Sequence, residues 1–265
     1  MTDRPVLVLD SGIGGLPYVA AVRELLPAAD IVYLADHAVF PYGEQDPETL
    51  CRHLLRLVAM LIERHQPAAV LLACNTASVV ALAALRERFS VPFVGVVPAV
   101  KPAAVRTITR RIGVLATART VKEHYLHDLV HRFAGQCVVT SVAAGAVVRL
   151  VEQCYGAPGA DAVERAVRSA VGQLLHARVD TVVLGCTHFT FLIDQLRQLF
   201  GPTVSLIDSR DGVARQVQRV VQRNGDNARF APRQPGSDRF LTSGTRTAEL
   251  ETLVRRYGFA EVRTL

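Results

Sequence analysis

Short apolar runs recur along the chain, separated by stretches of helical spacing. Val6-Leu7-Val8-Leu9 is unbroken, as a strand buried on both faces requires. Ile31–Ala35, Ala69–Ala73 and Pro92–Val97 follow, then a second series at Ile112–Ala116, Val138–Val142, Thr181–Leu184 and Val204–Ile207. Between them, Pro47–His65 carries Leu50, Leu54, Leu57, Val58 and Leu61 on one helical face, and Ala160–His176 does the same through Val163, Val167, Val171 and Leu174. Strands alternating with helices predict an α/β protein whose sheets are mostly parallel and flanked by helices.

The series looks duplicated. Val6–Ser11 resembles Ile112–Thr117 at an offset of 106 residues. Ala69–Thr76 resembles Thr181–His188 at an offset of 112, with a cysteine at the same place after the strand. Any two strand-helix units look alike, but the apolar-small-Cys-polar sequence narrows the coincidence. Two similar lobes are expected, 1–97 with 208–265 as the first and 98–207 as the second. A helix after Asp208 and a strand near Arg239–Thr242 would return to the first lobe. Asn224–Ser237, rich in Gly, Pro, Asn and Arg, reads as a surface loop.

Pro67 to Leu85 runs 19 residues without a charge, close to a membrane span. Cys74, Asn75, Thr76 and Ser78 sit at its centre, where hydrocarbon would leave them unsatisfied. A buried strand, a polar turn and a buried helix explain the stretch better, and no membrane partner is expected. The apolar run at the start meets Asp10 too soon for a signal peptide. Five cysteines, an odd number without CxxC or zinc-ligand spacing, fit free thiols in a reducing cytoplasm.

The formal net charge is +6, with 28 of the 30 basic residues being arginine. Arginine is dispersed, tryptophan is absent and aromatics do not alternate with the charges, so a nucleic-acid partner has little support. The surplus suits an anionic small substrate.

Ligands of parallel sheets bind at the carboxyl ends of strands. That directs attention to Asp10-Ser11-Gly12-Ile13-Gly14-Gly15, Asp36, Pro41-Tyr42-Gly43, Cys74-Asn75-Thr76, Thr117 with Thr120, and Cys186-Thr187-His188. The glycine loop has Pro17 where a dinucleotide fingerprint needs its third glycine, and it lacks a phosphate-loop lysine. It reads as a tight strand-to-helix turn through which backbone can approach a ligand. Cys74 and Cys186 each open a helix, whose dipole favours thiolate, and each is flanked by polar residues. Cys51, Cys137 and Cys154 read instead as buried small hydrophobes. His188 could steer or protonate Cys186. His124, His127 and His131 share a helix face, read as solvated rather than metal-binding, so no metal site is expected. Two thiols in two lobes suggest proton removal from one face of a carbon and proton delivery to the other. The chain's lysines are Lys101 and Lys122, neither at a strand-end motif, so pyridoxal phosphate is not expected.

The segments Asp10–Leu16, Asp36 with Pro41-Tyr42-Gly43, Cys74–Ser78 and Gly185–Phe189 resemble glutamate racemase, within the aspartate/glutamate racemase superfamily, in order and spacing from about residue 5 to 210. The resemblance implies a cofactor-independent isomerase that supplies D-glutamate for peptidoglycan, with its site in a cleft between two α/β lobes. It implies Cys74 and Cys186 as the acid/base pair, the first acting on D-glutamate and the second on L-glutamate. Asp10 and His188 would assist them, and Asp36 and Glu152 match acidic positions of the family. Ser11, Pro41, Tyr42, Gly43, Asn75, Thr76, Thr117, Thr120 and Thr187 would hold the substrate. Departures stand at Ala35-Asp36-His37, at Val39 and at Phe189-Thr190. Racemisation of aspartate or another acidic amino acid, and binding without catalysis, remain alternatives; a homodimer is compatible.

Overall fold

The computed structural model describes residues 4–122, 124–223 and 237–265. The chain divides into two compact units, residues 1–96 with 210–265, and residues 97–209.

The first unit is built on a six-stranded sheet. Its strands are β1 (Val6–Asp10), β2 (Ile31–Ala35), β3 (Ala69–Leu72) and β4 (Phe93–Gly95). The second unit holds β5 (Arg111–Ala116), β6 (Val138–Ala143), β7 (Thr181–Gly185) and β8 (Ser205–Ile207). The chain then supplies β9 (Arg239–Thr242) and β10 (Val262–Thr264) to the first sheet. The orders are β10-β9-β2-β1-β3-β4 and β6-β5-β7-β8, with every pairing parallel. Each unit therefore repeats one arrangement: its first strand lies central, its second on one side, its third and fourth on the other. β1 and β3 run in register from Val6 opposite Ala69 to Leu9 opposite Leu72, and β5 and β7 from Ile112 opposite Thr181 to Ala116 opposite Gly185.

Burial explains the unbroken apolar runs. Every residue of β1, β2, β3 and β7 is buried, because helices cover both faces. Each Leu or Val removed from water this way contributes roughly 1.5–3 kcal/mol. Helix Pro47–His65 presents Leu50, Leu54, Leu57, Val58 and Leu61 to the first core. Asp46 caps it by accepting the Thr49 N–H at 2.9 Å, Pro47 opens its first turn, and Gln66 at φ 46° ends it. Helix Ala160–His176 buries Val163, Val167, Val171 and Leu174. The predicted strand ends shorten where the chain cannot pair: Pro92 lacks a backbone N–H and stays outside β4.

The uncharged stretch 67–85 splits into β3, a polar turn and helix Asn75–Arg88. Among the described residues no helix is long and apolar enough to cross a membrane. The returning segment is anchored through Asp238, which accepts the Ile31 N–H at 2.7 Å and pairs with Arg23 at 2.6 Å. The loop expected at Asn224–Ser237 lies, up to residue 236, outside the described residues.

Candidate functional site

In the first unit the carboxyl ends of β1, β2, β3 and β9 share one edge of the sheet, since all run parallel. Asp10 ends β1, fully buried, and its Oδ1 accepts the Gly12 N–H at 2.8 Å and the Ser11 hydroxyl at 3.5 Å. The glycine loop beyond it is a packing device. The Tyr33 hydroxyl donates to the Gly12 carbonyl at 2.7 Å and accepts the Gly15 N–H at 3.1 Å. A Cβ on Gly15 would sit 2.8 Å from Ala73 Cβ and 2.9 Å from that hydroxyl. Close approach to Tyr33 and Ala73, rather than a positive φ, is what Gly15 provides.

Cys74 follows β3 in extended backbone (φ −138°, ψ 125°) as the residue before helix Asn75–Arg88. It is 7% exposed. Next to it, Asn75 Nδ2 and Oδ1 are buried and make no hydrogen bond among the described residues. Leaving a buried polar group unsatisfied costs about 1–3 kcal/mol, so the amide is suited to a ligand that supplies both partners. Thr76 is also buried, in a first turn whose backbone N–H groups have no intrahelical acceptor.

Asp36, buried just after β2, receives three side chains. Tyr42 donates to its Oδ2 at 2.7 Å, His53 Nε2 lies 2.6 Å from the same oxygen, and Ser243 donates to Oδ1 at 2.7 Å. Its backbone N–H donates to the Asp10 carbonyl at 2.9 Å, which ties the two acidic residues together. Burial pushes the Tyr42 phenol well above its usual range, reinforced by Asp36 and then by Cys74 and Asp10. Tyr42 is therefore a fixed proton donor, not a base. Pro41 and Gly43 flank it, Pro41 buried and Gly43 half-buried, in the short turn Tyr42–Glu44.

The second unit repeats the cysteine and changes its helper. Cys186 follows β7 in the same extended conformation (φ −145°, ψ 138°) and is likewise 7% exposed. The matched backbone follows from the repeated strand-to-helix geometry; Gly185 allows it, because a Cβ there would lie 2.9 Å from Ala116 Cβ. His188 Nδ1 is 4.0 Å from Cys186 Sγ, and its Nε2 is 2.8 Å from Glu152 Oε2. Glu152 comes from helix Ala146–Gln153 and is mostly buried, so a carboxylate orients the imidazole that faces the thiol. Thr187 is buried, and its carbonyl accepts the Thr190 hydroxyl at 2.7 Å. Thr117 and Thr120 share a 3.0 Å hydroxyl contact after β5.

Other expectations change. Cys51, Cys137 and Cys154 are half-buried rather than buried, because they stand at the margins of helices and cores; Cys51 and Cys137 pack against the two core clusters from outside. His124, His127 and His131 are all exposed on helix His124–Ala134. No group of three or more His, Cys, Asp or Glu among the described residues is arranged to hold a metal ion. His53 and Ser243 escaped the sequence reading. One is a lone histidine inside an amphipathic helix and the other a serine near the carboxyl end, and neither pattern carries a motif.

A strand-end thiol stands once in each of two parallel α/β units, in the second beside a histidine held by a carboxylate. The family model for Asp/Glu/Hydantoin racemase matches residues 17–217. The glutamate racemase of Shewanella sp. strain ANA-3 is 43% identical over 219 residues, covering 83% of this chain and 80% of that protein. That of Shewanella baltica strain OS185 is 39% identical over 271 residues, covering 99% and 98%. The crystal structure of Escherichia coli glutamate racemase, in complex with L-glutamate and the activator UDP-MurNAc-Ala, superposes with a TM-score of 0.88 at 35% identity over 99% of this chain and 98% of that one. The chain belongs to the Asp/Glu/hydantoin racemase family.

Proposed function

We propose that the chain interconverts L- and D-glutamate by a two-base reaction in which Cys74 and Cys186 are the acid and base. The observation that carries this reading is the repeated cysteine: the same residue, at the same strand end, in the same backbone conformation and burial, in both units. The substrate is proposed from the relatives, whose glutamate racemases align over nearly the whole chain.

One sulfur takes the α-proton from one face of the substrate carbon, and the other thiol delivers a proton to the opposite face. In one direction His188 takes the Cys186 thiol proton, the resulting thiolate takes the α-proton, and Glu152 stabilises the imidazolium. In the other direction Cys74 is the base, with the Asp10 carboxylate as its helper. The α-proton is a far weaker acid than a thiol of ordinary pKa about 8.5, so the developing carbanion needs preorganised donors. Asn75's buried amide and the N–H groups opening helix Asn75–Arg88 supply such donors to a carboxylate. The reaction needs no cofactor in this reading; Lys101 and Lys122 are both exposed. In this reading the D-glutamate is formed in the cytoplasm and supplies peptidoglycan synthesis.

Turnover of L-glutamate, D-glutamate and both aspartate enantiomers, followed by circular dichroism without added cofactor, tests the proposal. Rapid loss of glutamate optical activity, abolished in Cys74→Ala and in Cys186→Ala, is the expected result. Faster turnover of aspartate would move the substrate, and full activity in either cysteine variant would end the two-base reading.

A further inference from the structure

We infer that His53 and Ser243 are positioning residues for the first unit's half of the reaction, acting through Asp36 on Tyr42 and the Cys74 neighbourhood. The inference deepens the two-cysteine reading and rests on it.

Asp36 is 1% exposed and both its oxygens are engaged. Oδ2 meets Tyr42 at 2.7 Å and His53 at 2.6 Å, and Oδ1 meets Ser243 at 2.7 Å. The Ser243 hydroxyl also accepts the Ala38 N–H at 2.9 Å, so it clasps the loop that carries Asp36 to the returning strand β9. The donors come from three separate segments: the Tyr42 turn, helix Pro47–His65 and the end of β9. A carboxylate held from three directions has one rotamer. Tyr42 is fully buried, lies within electrostatic range of Cys74 and Asp10, and has this carboxylate as its acceptor. Tyr42 and Cys74 belong to one buried cluster, so the phenol's position within it is set by the orientation of Asp36, and that orientation by His53 and Ser243.

His53 keeps its side chain 27% exposed while reaching a carboxylate that is 2% exposed. His53 is half-buried, so its replacement opens little space in the core, and Asp36 keeps its Tyr42 and Ser243 donors; the melting temperature of each variant separates positioning from folding. Without the imidazole, Oδ2 loses one of its two donors and Asp36 gains freedom to turn. Misplacing groups near a reacting centre by an ångström lowers rates by roughly 100-fold even when the change is remote.

The test uses His53→Leu, His53→Gln and Ser243→Ala in the full chain, with kcat and KM for both glutamate enantiomers and thermal melting of each variant. A glutamine amide can donate to Asp36 where leucine cannot. The expected result is a kcat lower by roughly 10- to 100-fold in His53→Leu and Ser243→Ala, with KM changed by less than about threefold and melting lowered by only a few degrees. His53→Gln should recover most of the loss. His53→Leu with parental kcat, while Cys74→Ala is inactive, overturns the inference and leaves the two-cysteine reading standing. Failure of glutamine to recover kcat, or a loss that tracks a lower melting temperature, overturns it too. A fully active Cys74→Ala overturns the reading on which it rests.

Discussion

Replacing Glu152 by glutamine keeps the shape of the side chain and an oxygen to accept the His188 Nε2–H, but removes the charge. In the structure that contact is 2.8 Å, between a histidine side chain 2% exposed and a carboxylate 12% exposed. A hydrogen bond to a charged group contributes about 1.5–3 kcal/mol, roughly twice a neutral one. The imidazolium that the carboxylate stabilises forms as Cys186 loses its proton, so the loss falls mainly on the transition state. Glutamine retains the neutral half of that bond, so the loss is about 0.75–1.5 kcal/mol. At about 1.36 kcal/mol per factor of ten, Glu152→Gln should lower kcat/KM by roughly 4- to 13-fold. The assay is racemisation of each enantiomer by circular dichroism. Because the two enantiomers are equal in energy, kcat/KM must fall by the same factor in both directions, an internal check on the data. The effect should also vanish without its target: in a His188→Ala background the same change should cost less than about threefold. A Glu152→Gln enzyme within about twofold of the parent, or one equally impaired with and without His188, would refute the role assigned to the carboxylate.

Two further predictions concern stability. His65 is buried with both ring nitrogens unpartnered among the described residues, and burial, then Arg239 and Arg64, pushes its pKa below 6.5. The folded state holds it neutral, so its titration contributes nothing at pH 8 and stability is lost as pH falls below 6.5, where the unfolded chain takes up the proton first. His65→Leu should flatten the fall in urea midpoint between pH 7.5 and 5.5; an unchanged slope would contradict the assignment. Gly15→Ala places a methyl group 2.8 Å from Ala73 Cβ and 2.9 Å from the Tyr33 hydroxyl, both buried. Overpacking of this kind costs roughly 1–3 kcal/mol, and an unaltered melting temperature would show that the turn yields more easily than its neighbours suggest.

The fold was readable because parallel strands buried on both faces leave unbroken apolar runs, and covering helices leave stripes. Helix Pro47–His65 announces itself by Asp46-Pro47 at the start and by Leu50, Leu54, Leu57, Val58 and Leu61 along it. The repeat was readable in Cys74 and Cys186 because strand-end residues keep their place in each unit. Strand ends were less readable, since pairing partners rather than composition decide where β4 stops and where β8 starts. The clasp on Asp36 was not readable at all. Ser243 lies 207 residues from Asp36 and His53 lies 17, separations that no local periodicity encodes. The half-burial of Cys51, Cys137 and Cys154 escaped for the same reason, being set by where each helix meets its core. Gly15 was legible as a turn residue, but its neighbour Tyr33, from the adjacent strand, was not.

The central claim is that each sulfur serves one face of the substrate carbon. Single variants Cys74→Ser and Cys186→Ser, each given pure L- or D-glutamate in deuterated water, test it by nuclear magnetic resonance at the α-hydrogen. The account predicts that neither variant inverts the substrate, that the one retaining Cys74 exchanges the α-hydrogen of D-glutamate alone, and that the one retaining Cys186 exchanges that of L-glutamate alone. A single variant that still exchanges and inverts both enantiomers at the parental rate would contradict it.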